Sequence, residues 1–140
     1  MITIAHATAT STASPAAFFA RWIDHETWSQ WDTDTDWARV DGPVVRGATG
    51  TLKPVSGLKT RFTIHELTPD AEYTDRTKLL GATLYFQHLV EATDAGAALA
   101  VTVTLDGPLA GLWARILGAD FATAAPAGLE RLVELVESAA

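Results

Sequence analysis

Two polar residues, Asp75 and His88, are the candidates for chemistry in this 140-residue sequence. In the predicted register each lies on an inward face whose other residues are mostly aliphatic or aromatic, with Asp75 opposite Ile64 across the Thr68–Ala71 turn. A buried carboxylate or imidazole needs a hydrogen-bond partner or a water molecule. The two side chains therefore either satisfy each other or a nearby backbone group, or line a wet cavity and orient a ligand. In an enzyme, His88 would be the general acid or base, because imidazole titrates near neutral pH, and Asp75 would orient it.

The predicted hairpins set the register that turns these side chains inward. With Asp94-Ala95 as a two-residue tip, His88 opposes Val101. By the same count Phe86 opposes Val103, so these four residues share one face. A slip of one residue would turn all of them to the other face.

The sequence pattern predicts seven strands, two short helices and a long C-terminal helix. The predicted strands are Ile2–Thr12, Trp37–Val40, Thr49–Pro54, Leu58–Leu67, Glu72–Leu79, Thr83–Ala92 and Ala98–Leu105. Ser14-Pro15 starts the first helix as its N-cap and first helical residue, and Asp24–Trp31 forms a second short helix or turn. Six consecutive strands with short turns form an antiparallel meander, and helices at both of its ends make the class α+β.

The segment from Pro108 to Ala140 predicts a helix with two apolar faces. One face carries Leu109, Leu112, Trp113 and Ile116, and the other carries Ala122, Ala125, Leu129, Leu132, Val133 and Val136. At about 100° per residue, the centres of these faces lie roughly opposite each other. We therefore expect the helix to break, bend or roll between Gly118 and Pro126, above a gap between helix and sheet.

Four of the five tryptophans lie between Trp22 and Trp37. Side chains of this size either anchor the small helices to the rim of the sheet or form an aromatic gate at the mouth of a cavity. Trp113 stands apart, because it lies on the C-terminal helix where the apolar face changes direction. It is a candidate for the wall of a cavity.

The composition excludes several classes of function. The chain has no cysteine, so disulfides, thiolate catalysis and cysteine-ligated metals are excluded. A net charge of −7 argues against a nucleic-acid partner. The sequence shows neither an apolar run of about 20 residues nor a signal peptide, so we expect no membrane insertion and a cytoplasmic location. The histidines lack the spacing of metal ligands, and no metal or cofactor is expected.

The segment Ala13–Asp32, ASPAAFFARWIDHETWSQWD, resembles the opening of the START-like, helix-grip superfamily. More narrowly, it is similar to the polyketide cyclase/dehydrase and lipid-transport group often labelled SRPBCC. The motifs that carry this likeness are Ser14-Pro15, Phe18, Trp22, Asp24, Trp28 and Trp31, then Gly47, Gly50, Gly57, Thr63–Leu67 with Pro69, Gly96, Gly107-Pro108 and Leu129–Leu132. The resemblance covers nearly the whole chain, so residues 1–140 are expected to form a single START-like domain.

The resemblance implies a helix-grip fold, in which a curved seven-stranded antiparallel sheet wraps around a long C-terminal helix. Two small helices follow strand 1, and a hydrophobic cavity lies between sheet and helix. It implies no single activity, since members of the superfamily bind lipids, sterols, hormones or polyketides, and a minority catalyse cyclisation or dehydration.

We therefore expect a soluble binding protein for a small hydrophobic or aromatic ligand. The predicted wall of the cavity is Phe62, Ile64, Tyr73, Phe86, Val101, Val103, Trp113 and Phe121, with Asp75 and His88 orienting the ligand. One alternative is a polyketide cyclase, aromatase or dehydratase that uses His88 as acid or base. Another is a co-chaperone-like interaction module with an exposed apolar patch. The sequence leaves the oligomeric state open, a homodimer included.

Overall fold

A computed structural model describes residues 1–139, and these form one seven-stranded sheet with helices after the first and the last strand. The elements are β1 (Ile2–Ser11), α1 (Pro15–Trp22), a 3₁₀ helix (His25–Gln30), β2 (Thr35–Val40), β3 (Thr49–Pro54), β4 (Thr60–Thr68), β5 (Glu72–Leu79), β6 (Ala82–Thr93), β7 (Gly96–Asp106) and α2 (Ala110–Ser138). The predicted order of elements and the α+β helix-grip class are confirmed. The predicted helix end at Ala140 lies outside the described residues.

The sheet is antiparallel and curved, with the strand order β1-β7-β6-β5-β4-β3-β2. Strands β2 to β7 form the predicted meander, and β1 joins it by pairing with β7. The register shifts by one residue in the β1–β7, β2–β3 and β4–β5 pairs. Such bulges bend a strand locally and increase its twist, which helps the sheet to curve.

The register of the last hairpin is the predicted one. Thr93 pairs with Gly96, which leaves Asp94 and Ala95 as the two-residue tip. His88 then pairs with Val101. Because directly opposed residues share a face, the inward orientation of His88 follows from this pairing.

Strand β5 continues the same face. Asp75 pairs with Phe86, and Tyr73 pairs with His88. Asp75, Tyr73 and His88 are all buried. The concave face of the sheet therefore carries a carboxyl, a phenol and an imidazole side by side.

Helix α1 begins where the sequence predicts. The hydroxyl of Ser14 accepts a hydrogen bond from the backbone N–H of Ala17 at 3.3 Å, and Pro15 occupies the first helical position. Phe18, Phe19 and Trp22 are buried, so α1 fastens its aromatic stripe to the sheet.

Helix α2 is continuous from Ala110 to Ser138, so the chain does not break between Gly118 and Pro126, and of the predicted break, bend or roll the break is wrong. The residues turned towards the core form one stripe with steps of three or four residues: Ala110, Trp113, Ala114, Leu117, Phe121, Ala125, Leu129, Leu132 and Val136. Leu117 and Phe121 link the two halves of this stripe. Pro126 has no backbone N–H to donate, and because Pro126 is exposed, the missing hydrogen bond is on the side of α2 away from the core.

The first predicted face of α2 is only partly correct. Trp113 turns towards the protein, but Leu109, Leu112 and Ile116 are 38%, 53% and 56% exposed.

Near its other end, α2 is tied to β1 because the hydroxyl of Ser11 donates to the Glu137 carboxylate at 2.6 Å. Within residues 1–139, no helix has both the length and the apolar character needed to cross a membrane.

The core between sheet and helix is divided into two clusters. The tryptophan cluster contains Ala7, Phe18, Phe19, Trp22, Trp28, Trp31, Ala38, Phe62, Ile64, Tyr73, Val90, Ala97, Leu99, Val101, Leu129, Leu132 and Val136. The hairpin cluster contains Ala5, Ala82, Leu84, Val103, Leu105 and Ala110. The boundary crosses β7 between Val101 and Val103, although both side chains lie on the same face. A main core cluster with a smaller satellite cluster beside it is usual in a domain of this size.

Candidate functional site

An aromatic stack under the 3₁₀ helix contains one buried histidine. The His25 ring packs against both Trp28 and Phe62, with ring centroids 4.5 and 5.5 Å away and interplanar angles of 28° and 13°, and the rings of Trp28 and Phe62 are 6.2 Å from each other. His25 begins the 3₁₀ helix, while Phe62 belongs to β4, so the stack joins the helix to the sheet. Desolvation in this stack lowers the pKa of His25 to about 4, and the ring is neutral at neutral pH.

A chain of hydrogen bonds runs from His25 to Asp75. The hydroxyl of Tyr73 lies 2.7 Å from Nε2 of His25 and donates to Oδ2 of Asp75 at 3.0 Å. Burial raises the pKa of Asp75 to about 7, because the carboxylate loses its hydration. Burial, with the nearby Asp75 carboxyl, also raises the pKa of Tyr73 well above its usual range. At neutral pH His25 and Tyr73 are therefore uncharged, and the Asp75 carboxyl is about half ionised.

His88 lies beside this chain. Its Nδ1 is 3.2 Å from the backbone carbonyl of Tyr73, and its ring centroid is 5.4 Å from that of Trp22. Because a carbonyl only accepts, Nδ1 carries the proton and Nε2 of the neutral ring is an acceptor. Burial lowers the pKa of His88 to about 4, which keeps the ring neutral.

The structure brings Asp75 and His88 to one face but does not pair them. Within residues 1–139, Asp75 is hydrogen-bonded to Tyr73, and His88 to the carbonyl of Tyr73. Asp75 therefore does not orient His88 through a direct hydrogen bond. The sequence does not reveal His25 as the other hydrogen-bond partner of Tyr73, because no pattern in the chain shows where the 3₁₀ helix meets the sheet.

Three buried nitrogen atoms, two in the tryptophan cluster and one in the neighbouring His25, have no hydrogen-bond partner among the described residues. They are Nε1 of Trp22, Nε1 of Trp31 and Nδ1 of His25. By contrast, Nε1 of Trp28 donates to the carbonyl of Trp22 at 3.1 Å. Buried polar atoms without partners are rare in folded proteins, and each needs an explanation such as a bound water or a catalytic role.

The predicted wall residues are divided between the two clusters. Phe62, Ile64, Tyr73 and Val101 lie in the tryptophan cluster, Val103 lies in the hairpin cluster, and Phe86, Trp113 and Phe121 pack against the hairpin cluster while half-buried. Trp113 lies at the end of the interior, because its Nε1 donates to the carbonyl of Leu80 in the β5–β6 turn at 2.8 Å. It therefore anchors the start of α2.

An aromatic pair lies at the boundary of the two clusters. The rings of Phe86 and Phe121 meet edge to face with centroids 5.2 Å apart. Phe86 faces inward, since its partners Val103 and Asp75 are buried, yet both phenylalanines are half-buried. Helix α2 packs chiefly against β1 and β7 and only slightly against β6. The concave face at Phe86 is therefore partly open to solvent.

Two depressions lie on the outside of the molecule. One of about 350 Å³ follows the edge of β1 along the second half of α2, from Thr8 to Glu134. The other, of about 250 Å³, lies between α1 and the end of α2, from Ala13 to Ala139. Neither depression includes a predicted wall residue. Within residues 1–139, no three His, Asp or Glu side chains are grouped so as to hold a metal ion.

No protein-family model matches the chain, and no curated protein is similar to it at a significant level. Solved structures are similar in fold. TTHA0849 from Thermus thermophilus matches with a TM-score of 0.74 at 15% identity over 97% of this chain and 98% of that chain. Ara h 8.0201 matches with a TM-score of 0.68 at 16% identity, over 95% and 96% of the two chains.

A third similar structure belongs to a biosynthetic protein. The di-domain ARO/CYC StfQ from the steffimycin biosynthetic pathway matches with a TM-score of 0.77 at 10% identity. The match covers 95% of this chain and 50% of that chain. Identities this low carry the likeness of fold and nothing finer. Together with the sheet order and the long C-terminal helix, these structures show that the chain has the helix-grip fold.

Proposed function

We propose that the protein binds a small, mainly apolar ligand between the concave face of the sheet and the middle of α2. The observation that carries this proposal is a half-buried aromatic pair at the boundary of the two clusters. At the boundary, Phe86 faces inward and Phe121 faces it from the helix, yet both remain half-buried. An apolar ligand there would cover both rings and join the two clusters, with a gain of about 25 cal/mol for each Å² of apolar surface removed from water.

The middle of α2 has few large side chains, which leaves room at this boundary. From Gly118 to Gly128, the one aromatic or branched aliphatic side chain is that of Phe121. The residues around it are glycine, alanine and other small or polar residues that fill little of the interior. A rotation of the Phe121 ring would open space for a ligand without moving the helix. Ligand pockets commonly combine apolar walls with a few placed polar groups, and here these would be Asp75 and His88.

The test is binding of N-phenyl-1-naphthylamine, a neutral probe whose fluorescence rises in apolar sites. Phe121→Trp adds bulk inside the proposed site, and Leu112→Trp adds the same residue on the exposed side of the same helix. We expect the wild-type protein and Leu112→Trp to bind the probe alike, and Phe121→Trp to bind it about tenfold more weakly. Equal binding by all three proteins, all folded by circular dichroism, would overturn the proposal.

A cyclase or dehydratase is a second candidate, and the specific observation in its favour is the neutral His88 ring with an accepting Nε2. Such a nitrogen can remove a proton from a carbon or oxygen acid of a bound substrate. The ARO/CYC name of StfQ agrees with this chemistry but belongs to that protein. Incubation with a poly-β-ketone thioester analogue tests it: this candidate predicts a cyclised product that His88→Asn does not form although it still binds the analogue.

A further inference from the structure

Two tryptophans whose buried indole N–H groups have no partner among the described residues pack their rings beside His88. The ring of Trp22 is 5.4 Å and that of Trp31 is 6.4 Å from the His88 ring, centroid to centroid. Trp22 is 0% and Trp31 is 6% exposed, and neither Nε1 has a hydrogen-bond partner among the described residues. We propose that His88, Trp22 and Trp31 receive the polar end of the ligand, and that this end is a neutral hydroxyl group. The inference rests on the proposed function and adds the class of ligand.

The hydrogen-bond donors and acceptors around His88 determine which polar group the ligand carries. The two indoles offer N–H donors only, while Nε2 of His88 offers a lone pair, because Nδ1 donates to the carbonyl of Tyr73. A hydroxyl group satisfies both kinds of partner, since its hydrogen can go to Nε2 and its oxygen can accept from an indole. An ether or a ketone lacks the hydrogen, and a hydrocarbon lacks both functions.

The charges of the interior exclude an anionic ligand. The buried polar residues of the described chain are Ser11, His25, Thr35, Thr51, Thr74, Asp75 and His88, with no lysine or arginine among them. A carboxylate or phosphate moved to this place would lose its hydration without a cation to balance it. It would also face the Asp75 carboxyl on the same surface of the sheet.

The spacing along β6 sets the size of the ligand. Phe86 and His88 point to the same face two residues apart, a distance of about 7 Å along a strand. A ligand whose apolar body lies at Phe86 and Phe121 would therefore reach His88 with a group at the end of about two fused rings. A hydroxylated bicyclic aromatic molecule has this length.

Four naphthalene compounds that differ in one group test the inference: 2-naphthol, 2-methoxynaphthalene, naphthalene and naphthalene-2-carboxylate. Dissociation constants are measured by calorimetry on the wild-type protein. We expect 2-naphthol to bind about 3–10-fold more tightly than the methyl ether and the hydrocarbon, which is the effect of about one neutral hydrogen bond. The carboxylate is expected to bind most weakly.

Three tryptophan variants show whether the indole N–H groups cause this preference. Trp22→Phe and Trp31→Phe each remove an N–H without a partner, whereas Trp28→Phe removes one that is already bound to the carbonyl of Trp22. All three lose part of a buried ring, so Trp28→Phe controls for lost packing. We expect the ratio of the 2-naphthol and 2-methoxynaphthalene affinities to fall in Trp22→Phe or Trp31→Phe and to stay at the wild-type value in Trp28→Phe.

The possible failures are distinguishable. If neither the four compounds nor N-phenyl-1-naphthylamine binds, the proposed function fails and this inference falls with it; if only N-phenyl-1-naphthylamine binds, this inference alone is overturned. If all four bind with similar affinity, the site exists but has no hydroxyl preference, and this inference alone is overturned. It is also overturned if Trp28→Phe changes the ratio as much as the other two variants.

Discussion

The hydroxyl of Tyr73 lies 2.7 Å from Nε2 of His25, although 48 residues separate the two in the chain. The same hydroxyl donates to Asp75 at 3.0 Å. This pair of bonds ties the 3₁₀ helix to β5 inside the tryptophan cluster, where water does not compete for the partners. The first expected consequence concerns stability.

Tyr73→Phe removes the central member of this chain and leaves His25 Nε2 and Asp75 Oδ2 without it. Because both are buried, we expect a loss of about 1–3 kcal/mol in the free energy of unfolding, measured by urea denaturation. Tyr85→Phe is the matched control, since Tyr85 is half-buried and its ring contacts His65 away from the chain. A loss no greater than that of Tyr85→Phe would contradict the structural role of the Tyr73 hydroxyl.

Asp75→Asn should change how stability depends on pH. The pKa of Asp75 is raised from 3.8 to about 7 in the folded protein, so the folded state holds its proton more tightly than the unfolded state. The stability that this difference supplies is present below about pH 4 and is lost as the pH rises towards 7. Asparagine keeps an oxygen for the Tyr73 hydroxyl but cannot ionise.

The unfolding free energy of Asp75→Asn should therefore rise relative to wild type between these pH values, by up to about 1.4 kcal/mol per pH unit. Urea denaturation at several pH values measures the difference. Asp41→Asn is the control, because the bond from Arg61 lowers the pKa of the exposed Asp41 carboxyl and it stays ionised over this range. Parallel curves for Asp75→Asn and wild type would contradict the raised pKa.

His25 and His88 act in the opposite direction. Burial lowers the pKa of each from 6.5 to about 4, so the unfolded state binds protons more readily between these values. Their contribution to stability is complete above about pH 6.5 and is lost on acidification towards pH 4. At about pH 6 we expect the ¹⁵N NMR spectrum to show both rings neutral, with the proton of His88 on Nδ1. An imidazolium signal for His88, or a proton on Nε2, would contradict this assignment.

The close neighbours of Gly50 leave no space for a side chain at this position. It pairs with Phe62, and a Cβ at this position would meet the Phe62 ring and the carbonyl of Arg39. Gly50→Ala should therefore displace Phe62 from the His25 stack and cost about 1–3 kcal/mol of stability. Gly42→Ala is the comparison, because nothing lies within 4 Å of a Cβ there. Thermal unfolding of the two variants should differ clearly, and equal melting temperatures would contradict the close packing of β3 on Phe62.

Gly118 tests the continuity of α2. No atom lies within 4 Å of a Cβ at this position, and the residue is inside the helix. Gly118→Ala should then stabilise the protein by about 0.5–1 kcal/mol, because alanine loses less backbone entropy in a helix. A destabilised variant in urea denaturation would favour the break in α2 that the sequence pattern predicts.

The sequence predicted the sheet well because its information is local. The alternation in β6 and β7 and the two-residue tip at Asp94-Ala95 determine which side chains face inward. The predicted break in α2 is wrong because the pattern was divided into two faces, without Leu117 and Phe121, which join them. The link between His25 and Tyr73 was not predictable, since it depends on how the 3₁₀ helix docks on the sheet. The division of the core also depends on how α2 lies across the strands.

The most direct test of ligand binding at this place is an NMR titration with 2-naphthol. We expect the largest chemical-shift changes at the boundary of the two clusters, on Phe86, Phe121, Val101 and Val103. Shifts confined to the exposed Leu109, Leu112 and Ile116 at the start of α2, as an interaction module with an apolar patch would give, would contradict it. An unchanged spectrum at saturating concentrations of 2-naphthol would contradict it as well.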